Sequence, residues 1–181
     1  MLIKNATLPD GRSGIDVLVR EGRIAALGPN LAAPEGVQVI EAAGQLLSPP
    51  FVDAHFHMDA TLSVGLPRVN ESGTLLEGIA LWGELKPQLT QQALVERALQ
   101  YCDWAVAKGL LAIRSHVDVC DERLLAVEAL LHVRERVKPY LDLQLVAFPQ
   151  DGLLRAPNAL ANLKRALDLG VDVVGGIPHF E

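Results

Sequence analysis

Pro49-Pro50-Phe51-Val52-Asp53-Ala54-His55-Phe56-His57-Met58-Asp59 decides how this chain is read. A short apolar stretch, opened by two prolines, ends in His-x-His. Side chains in a strand alternate between faces with period 2, so His55 and His57 share a face and can chelate one ion. Asp53 lies on that face too, while Val52, Ala54 and Phe56 fall on the other, where a covering layer of helices would want them. A bare His-x-His is often chance, because histidine is frequent at half-buried positions. The flanking residues change that reading, since no apolar core would choose Asp53, His55 and His57 together. Metal ligation by His55 and His57 is the expectation.

Composition narrows the rest. With 181 residues, half of them hydrophobic, the chain has ample material for a core. A formal charge of -6 disfavours nucleic acid and anionic membranes as partners, and 4% aromatic content leaves few base-stacking platforms. No apolar run approaches the roughly 20 residues of a membrane span. The start, Met1-Leu2-Ile3-Lys4-Asn5, lacks the apolar stretch of a signal peptide. Cys102 and Cys120 form no ligand spacing and read as reduced thiols, so a cytoplasmic location is expected.

Residues 1–48 read as short strands: Met1 to Leu8, Ile15 to Arg20, Arg23 to Leu27, Val37 to Glu41 and Gln45 to Leu47. Turn residues such as Pro9-Asp10-Gly11 and Gly28-Pro29 punctuate them. That predicts a small antiparallel β unit with too few strands to close a core alone. Residues 49–181 change rhythm. Strands are predicted at Ala112 to Val119, Asp142 to Phe148 and Val171 to Ile177. Helical patterns run from Thr90 to Lys108, Asp121 to Val137 and Asn158 to Leu169. Strand–helix alternation implies a parallel sheet with right-handed crossovers. The segment Thr61 to Gln88 is long for a connection and reads as a partly helical lid or pocket loop.

Ligands bind beyond the carboxyl ends of parallel strands. The four strands end in His55-Phe56-His57, Ser115-His116-Val117-Asp118, Phe148-Pro149-Gln150-Asp151 and Pro178-His179-Phe180-Glu181. Each places polar or ionisable groups at that end. Arg114, His116 and Asp118 share one face, which suits an internal polar network as well as a site. Gln150 carries a carboxamide that both donates and accepts, as an amide-like heterocycle edge requires. His179 is either a supporting residue of the site or a strand terminus, and His132, mid-helix, reads as surface or packing.

These motifs resemble the N-terminal part of the amidohydrolase superfamily, and within it the cytosine deaminase group. The entry motif stands as Phe51-Val52-Asp53-Ala54-His55-Phe56-His57. More particular likenesses are Glu71-Ser72-Gly73-Thr74-Leu75-Leu76-Glu77-Gly78, Arg114-Ser115-His116-Val117-Asp118-Val119, Leu143 to Gly152 and Gly176-Ile177-Pro178-His179-Phe180-Glu181. They occur in family order. Pro50 stands where the wider superfamily has glycine, as it does in the cytosine deaminase group.

The resemblance implies an α/β fold, the first half of a metal-dependent (β/α)₈ TIM-type barrel preceded by strands of a small β-sandwich. It implies one divalent ion, Fe²⁺ or Zn²⁺, on His55 and His57, with further ligands and an acid–base glutamate C-terminal of Glu181. Gln150 matches a pyrimidine-binding glutamine, and Leu75 a residue lining the same pocket. His116, Asp118 and His179 are candidates to support the ligands. Two-metal members carry a lysine at the end of strand four, where this chain has Gly175-Gly176-Ile177-Pro178-His179, so one metal is expected. The ion would activate water to attack C4 of cytosine, releasing ammonia and leaving uracil.

Such a barrel takes roughly 250 residues. The 181 residues are therefore expected to be the N-terminal portion of a larger enzyme and inactive alone; a small-molecule substrate and a homo-oligomer are the partners expected of the whole protein. Two alternatives stay open: an amidohydrolase acting on another cyclic amidine, such as an N-alkyl triazine or creatinine, and a non-catalytic half-barrel assembly module.

Overall fold

The computed structural model describes residues 1–178 and 181, and the chain divides into two compact units, Met1–Pro49 and Pro50–Glu181. In the first, β1 (Leu2–Ala6), β2 (Ile15–Arg20), β3 (Arg23–Gly28) and β4 (Val39–Glu41) form a four-stranded sheet in the order β3-β2-β1-β4. Its register includes Leu2 opposite Leu18 in the antiparallel pair and Leu2 opposite Val39 in a parallel one. The sheet is thus mixed rather than antiparallel throughout. The long stretch between β3 and β4 lets the chain return and pair with β1 in the same direction. The expected strand at Gln45 to Leu47 is reduced to a single bridge between Thr7 and Leu46. Leu8, Ile15 and Val17 make this unit's small apolar cluster.

The second unit holds a wholly parallel sheet, β5 (Phe51–Phe56), β6 (Leu110–Asp118), β7 (Asp142–Phe148) and β8 (Val173–Val174), in sequence order. Helices α1 (Leu75–Leu85), α2 (Gln91–Ala107), α3 (Leu125–Val137) and α4 (Ala159–Asp168) occupy the connections. Thr90 caps α2 by accepting from the Ala93 N–H, as its side chain predicts. Helix α3 starts later than the pattern suggests. Asp121 bonds the backbone and side chain of Arg123, and its carbonyl accepts from Leu124 N–H, so residues 121–124 close a turn instead of a helical one.

One apolar layer lies between helices and sheet. Ile113 and Val117 of β6 and Leu143 and Leu145 of β7 meet Val127, Leu130, Val133 and Val137 of α3, and all are buried. Each such side chain contributes about 1.5–3 kcal/mol by leaving water. Strand β5 departs from expectation. Val52 is 67% exposed and Ala54 is exposed, because β5 is the edge of the described sheet, and only Phe56, stacked on Tyr101 of α2, is well covered.

Strand β8 is shorter than the predicted Val171 to Ile177. The Asp172 carboxylate accepts from the Leu145 N–H at 2.8 Å, while the Asp172 N–H donates to the Leu145 carbonyl at 3.1 Å. Gly175 extends the ladder past β8 by donating to the Ala147 carbonyl at 2.8 Å. A Cβ there would lie 2.8 Å from Val146 Cγ1 and 2.9 Å from the Ala147 oxygen. Gly175→Ala is therefore expected to cost about 1–3 kcal/mol of unfolding free energy by overpacking. An unchanged denaturant midpoint would show that the strand yields.

Candidate functional site

Three imidazoles gather at the exits of β5 and β6. His55 and His116 stack with ring centroids 4.0 Å apart, and His57 lies 5.4 Å from His55 and 5.5 Å from His116. The parallel register, Phe56 beside Ser115, brings the two strand ends level and makes this meeting possible. Immediately beyond, Met58 donates its N–H to the buried Ser115 hydroxyl at 2.9 Å, pinning the chain as it leaves the strand. Phe148 of β7 presents its ring edge-on to both His57 and His116.

One ligand nitrogen from each of His55, His57 and His116 falls within 4.8 Å of the others. His116 Nδ1 is buried without a hydrogen-bond partner among the described residues. The donor set is all imidazole nitrogen, which suits zinc, iron and similar divalent ions. Burial first, then the neighbouring His116 and His55, push the His57 imidazole down to about 4. It is therefore neutral at physiological pH, the form that coordinates a metal. These residues fit a divalent ion.

Next to the imidazoles opens a cavity of about 410 Å³, lined by His55, His57, Leu75, Phe148 and Gln150. Gly78, Ile79 and Trp82 of α1 add to its walls, with Asp59, Ala60 and Gly176 to Pro178 completing them. The long connection before α2 thus supplies a pocket wall, as its length suggested. Thr74 caps α1 by accepting from the Glu77 N–H, which sets Leu75 at the first position of the helix, on the cavity. The structure brings His55, His57, Gln150 and Leu75 to one cavity. His116 stands behind the first two. Asp118 is buried and bonds the pocket wall instead of lining the cavity: its Oδ2 accepts from Trp82 Nε1 and Lys86 Nζ, each at 2.7 Å. His179 lies outside the described residues, and His132 is exposed, as expected of a surface residue.

The sequence pattern does not single out Asp59, Trp82 or Lys86. Trp82 and Lys86 sit 36 and 32 residues from Asp118, in a segment whose pattern announced a lid but no partner. A second group of possible metal donors, Asp118, Cys120 and Asp151, already has its cation: Lys86 Nζ is 2.7 Å from both carboxylates.

Asp59 is fully buried, and desolvation pushes its carboxyl up to about 7, even though it accepts from the Asp118 N–H. The two shifted groups act oppositely on stability. Between about pH 4 and 6.5 unfolded His57 binds a proton that the native form refuses, so stability would rise with pH. Native Asp59 keeps a proton that the unfolded chain has lost, so stability would fall with pH across much of that window. The two slopes oppose one another. Asp59→Asn removes one of them and is expected to make the metal-free protein steeper in acid, by up to about 1.4 kcal/mol per pH unit. Denaturant unfolding at several pH values measures the difference, and parallel curves would contradict it.

Comparison with known proteins follows the same lines. The model of the amidohydrolase family matches residues 38–181. The chain is 32% identical, over 98% of its length, to an N-isopropylammelide isopropyl amidohydrolase of Pseudomonas sp. (strain ADP). It superposes with a TM-score of 0.93 and 40% identity on 5-methylcytosine deaminase from Klebsiella pneumoniae liganded with 5-fluorocytosine, covering 100% of this chain. Against N-isopropylammelide isopropylaminohydrolase from Burkholderia multivorans the TM-score is 0.80, with 32% identity over 96% of this chain. The chain spans 45% of the Pseudomonas protein and 44% of each of the two structures. The expected fold, the first half of the barrel these relatives share, holds.

Proposed function

This chain belongs to the amidohydrolase family, and we propose that the whole protein hydrolytically deaminates cytosine or a close pyrimidine analogue. The observation that carries the reading is the convergence of His55, His57, Leu75 and Gln150 on one cavity. His55 and His57 would hold one divalent ion, zinc or iron, with His116, stacked on His55, supporting them, while Asp118 serves the pocket wall through Trp82 and Lys86. An ion so placed supplies Lewis-acid activation of water. Gln150 would receive the ring through its amide-like edge, with Leu75 and Phe148 against the ring's apolar parts. The groups that move protons would come from sequence following Glu181. Residues 1–48 would form part of a β-sandwich domain and residues 49–181 the first four βα units of the barrel.

The likeness to the isopropylammelide enzymes favours a second reading, release of an alkylamine from an N-alkyl triazine. A panel of cytosine, 5-methylcytosine, creatinine and N-isopropylammelide decides between them. The metal-loaded whole protein is expected to release ammonia from cytosine or 5-methylcytosine faster than isopropylamine from the triazine. The reverse order would replace the deaminase reading with the second.

A further inference from the structure

Lys86 Nζ lies 2.7 Å from Asp118 Oδ2 and 2.7 Å from Asp151 Oδ2. The same Asp118 oxygen accepts from Trp82 Nε1 at 2.7 Å, and its other oxygen from the Cys120 N–H at 2.7 Å. Three segments meet at this ammonium: the end of α1 with the turn after it, the exit of β6 and the loop following β7. The pair Lys86–Asp118 is only 13% and 3% exposed. Burying both charges carries a desolvation cost that a solvated rim pair would avoid, so the arrangement calls for a reason beyond stability.

The reason lies in what the joined segments carry. Helix α1 presents Leu75, Ile79 and Trp82 to the cavity, and Asp151 directly follows Gln150, which lines the same space. We propose that Lys86 is a positioning residue, a latch that ties α1 to the exits of β6 and β7 and so holds Trp82 and Gln150 in the spacing that admits a flat heterocycle. The inference rests on the reading of this cavity as a ring-binding site.

Lys86→Met, Lys86→Arg and Asp151→Asn in the whole protein test it, with 5-fluorocytosine as the probe. Lys86→Met is expected to weaken 5-fluorocytosine binding about tenfold or more, because small misplacements of positioning groups are strongly felt. It should raise KM more than it lowers kcat, leave metal content unchanged, and speed amide exchange in residues 75–88 and 149–152 of the ligand-free protein. Lys86→Arg should restore most of the affinity, and Asp151→Asn should fall between. Asp151, at 40% side-chain exposure, tolerates the change if Lys86→Met fails to fold, and carries the same readouts. Unchanged affinity and unchanged exchange in these segments would overturn the latch. If the unaltered protein neither binds nor deaminates pyrimidines, the ring-binding reading fails. Exchange then still decides the latch: acceleration confined to the two segments upholds it, and none overturns it.

Discussion

Replacing His57 by alanine in the whole protein is expected to abolish stoichiometric binding of a divalent ion and to lower hydrolysis by far more than 100-fold. Changes to groups that merely orient ligands already cost about 10–100-fold, and His57 would touch the ion itself. The electrostatics point the same way. Burial and the two neighbouring imidazoles hold His57 down to about 4, so near neutrality no proton has to leave it before a metal enters. The substitution should spare the fold, since His57 is only half-buried and the strand exit is pinned by the separate Met58–Ser115 bond. Metal analysis of the purified variant, beside its thermal unfolding curve, measures both. A variant that keeps one ion per chain would remove His57 from the metal site.

The second large effect is expected at Gln150. Gln150→Leu keeps most of the volume but deletes a carboxamide that would both donate to and accept from the ring. A site built around such a group leaves the ligand's buried polar edge unpaired when it is lost. The expected fall in kcat/KM is about 10–100-fold, from a cost of roughly 1–3 kcal/mol for a buried polar group left unpaired. The turn should survive, because the bond closing it runs from the Gln150 backbone N–H to the Phe148 carbonyl at 3.0 Å. Metal content should be unaltered, which separates this loss from that of His57→Ala. Equal kcat/KM in the two proteins would show that another group reads the ring.

Much of this was legible because the informative signals are local or periodic. Asp142–Phe148 is read from sequence with its observed bounds, since it is an uninterrupted strand between clear breakers. Thr90 announces the start of α2 because an N-cap acts within one turn. The two histidines share a face by strand geometry alone. Pairings over long separations stayed hidden. Nothing in the pattern around Trp82 and Lys86 reveals that both donate to Asp118, and nothing near Val39 shows that β4 runs parallel to β1. Side chains that take backbone donors are equally hidden, as at Asp172, whose carboxylate accepts from the Leu145 N–H. Val52 misled for another reason: alternation says which face a residue takes, but not whether anything covers it.

Whether the whole protein is a metal-dependent deaminase is decided by ammonia release from cytosine, with metal supplied and then removed by a chelator. The loaded protein is expected to yield ammonia and uracil in equal amounts, none after chelation, with recovery when the ion is restored. Release that ignores the chelator, or a loaded protein that leaves cytosine and 5-methylcytosine untouched, would contradict this expectation.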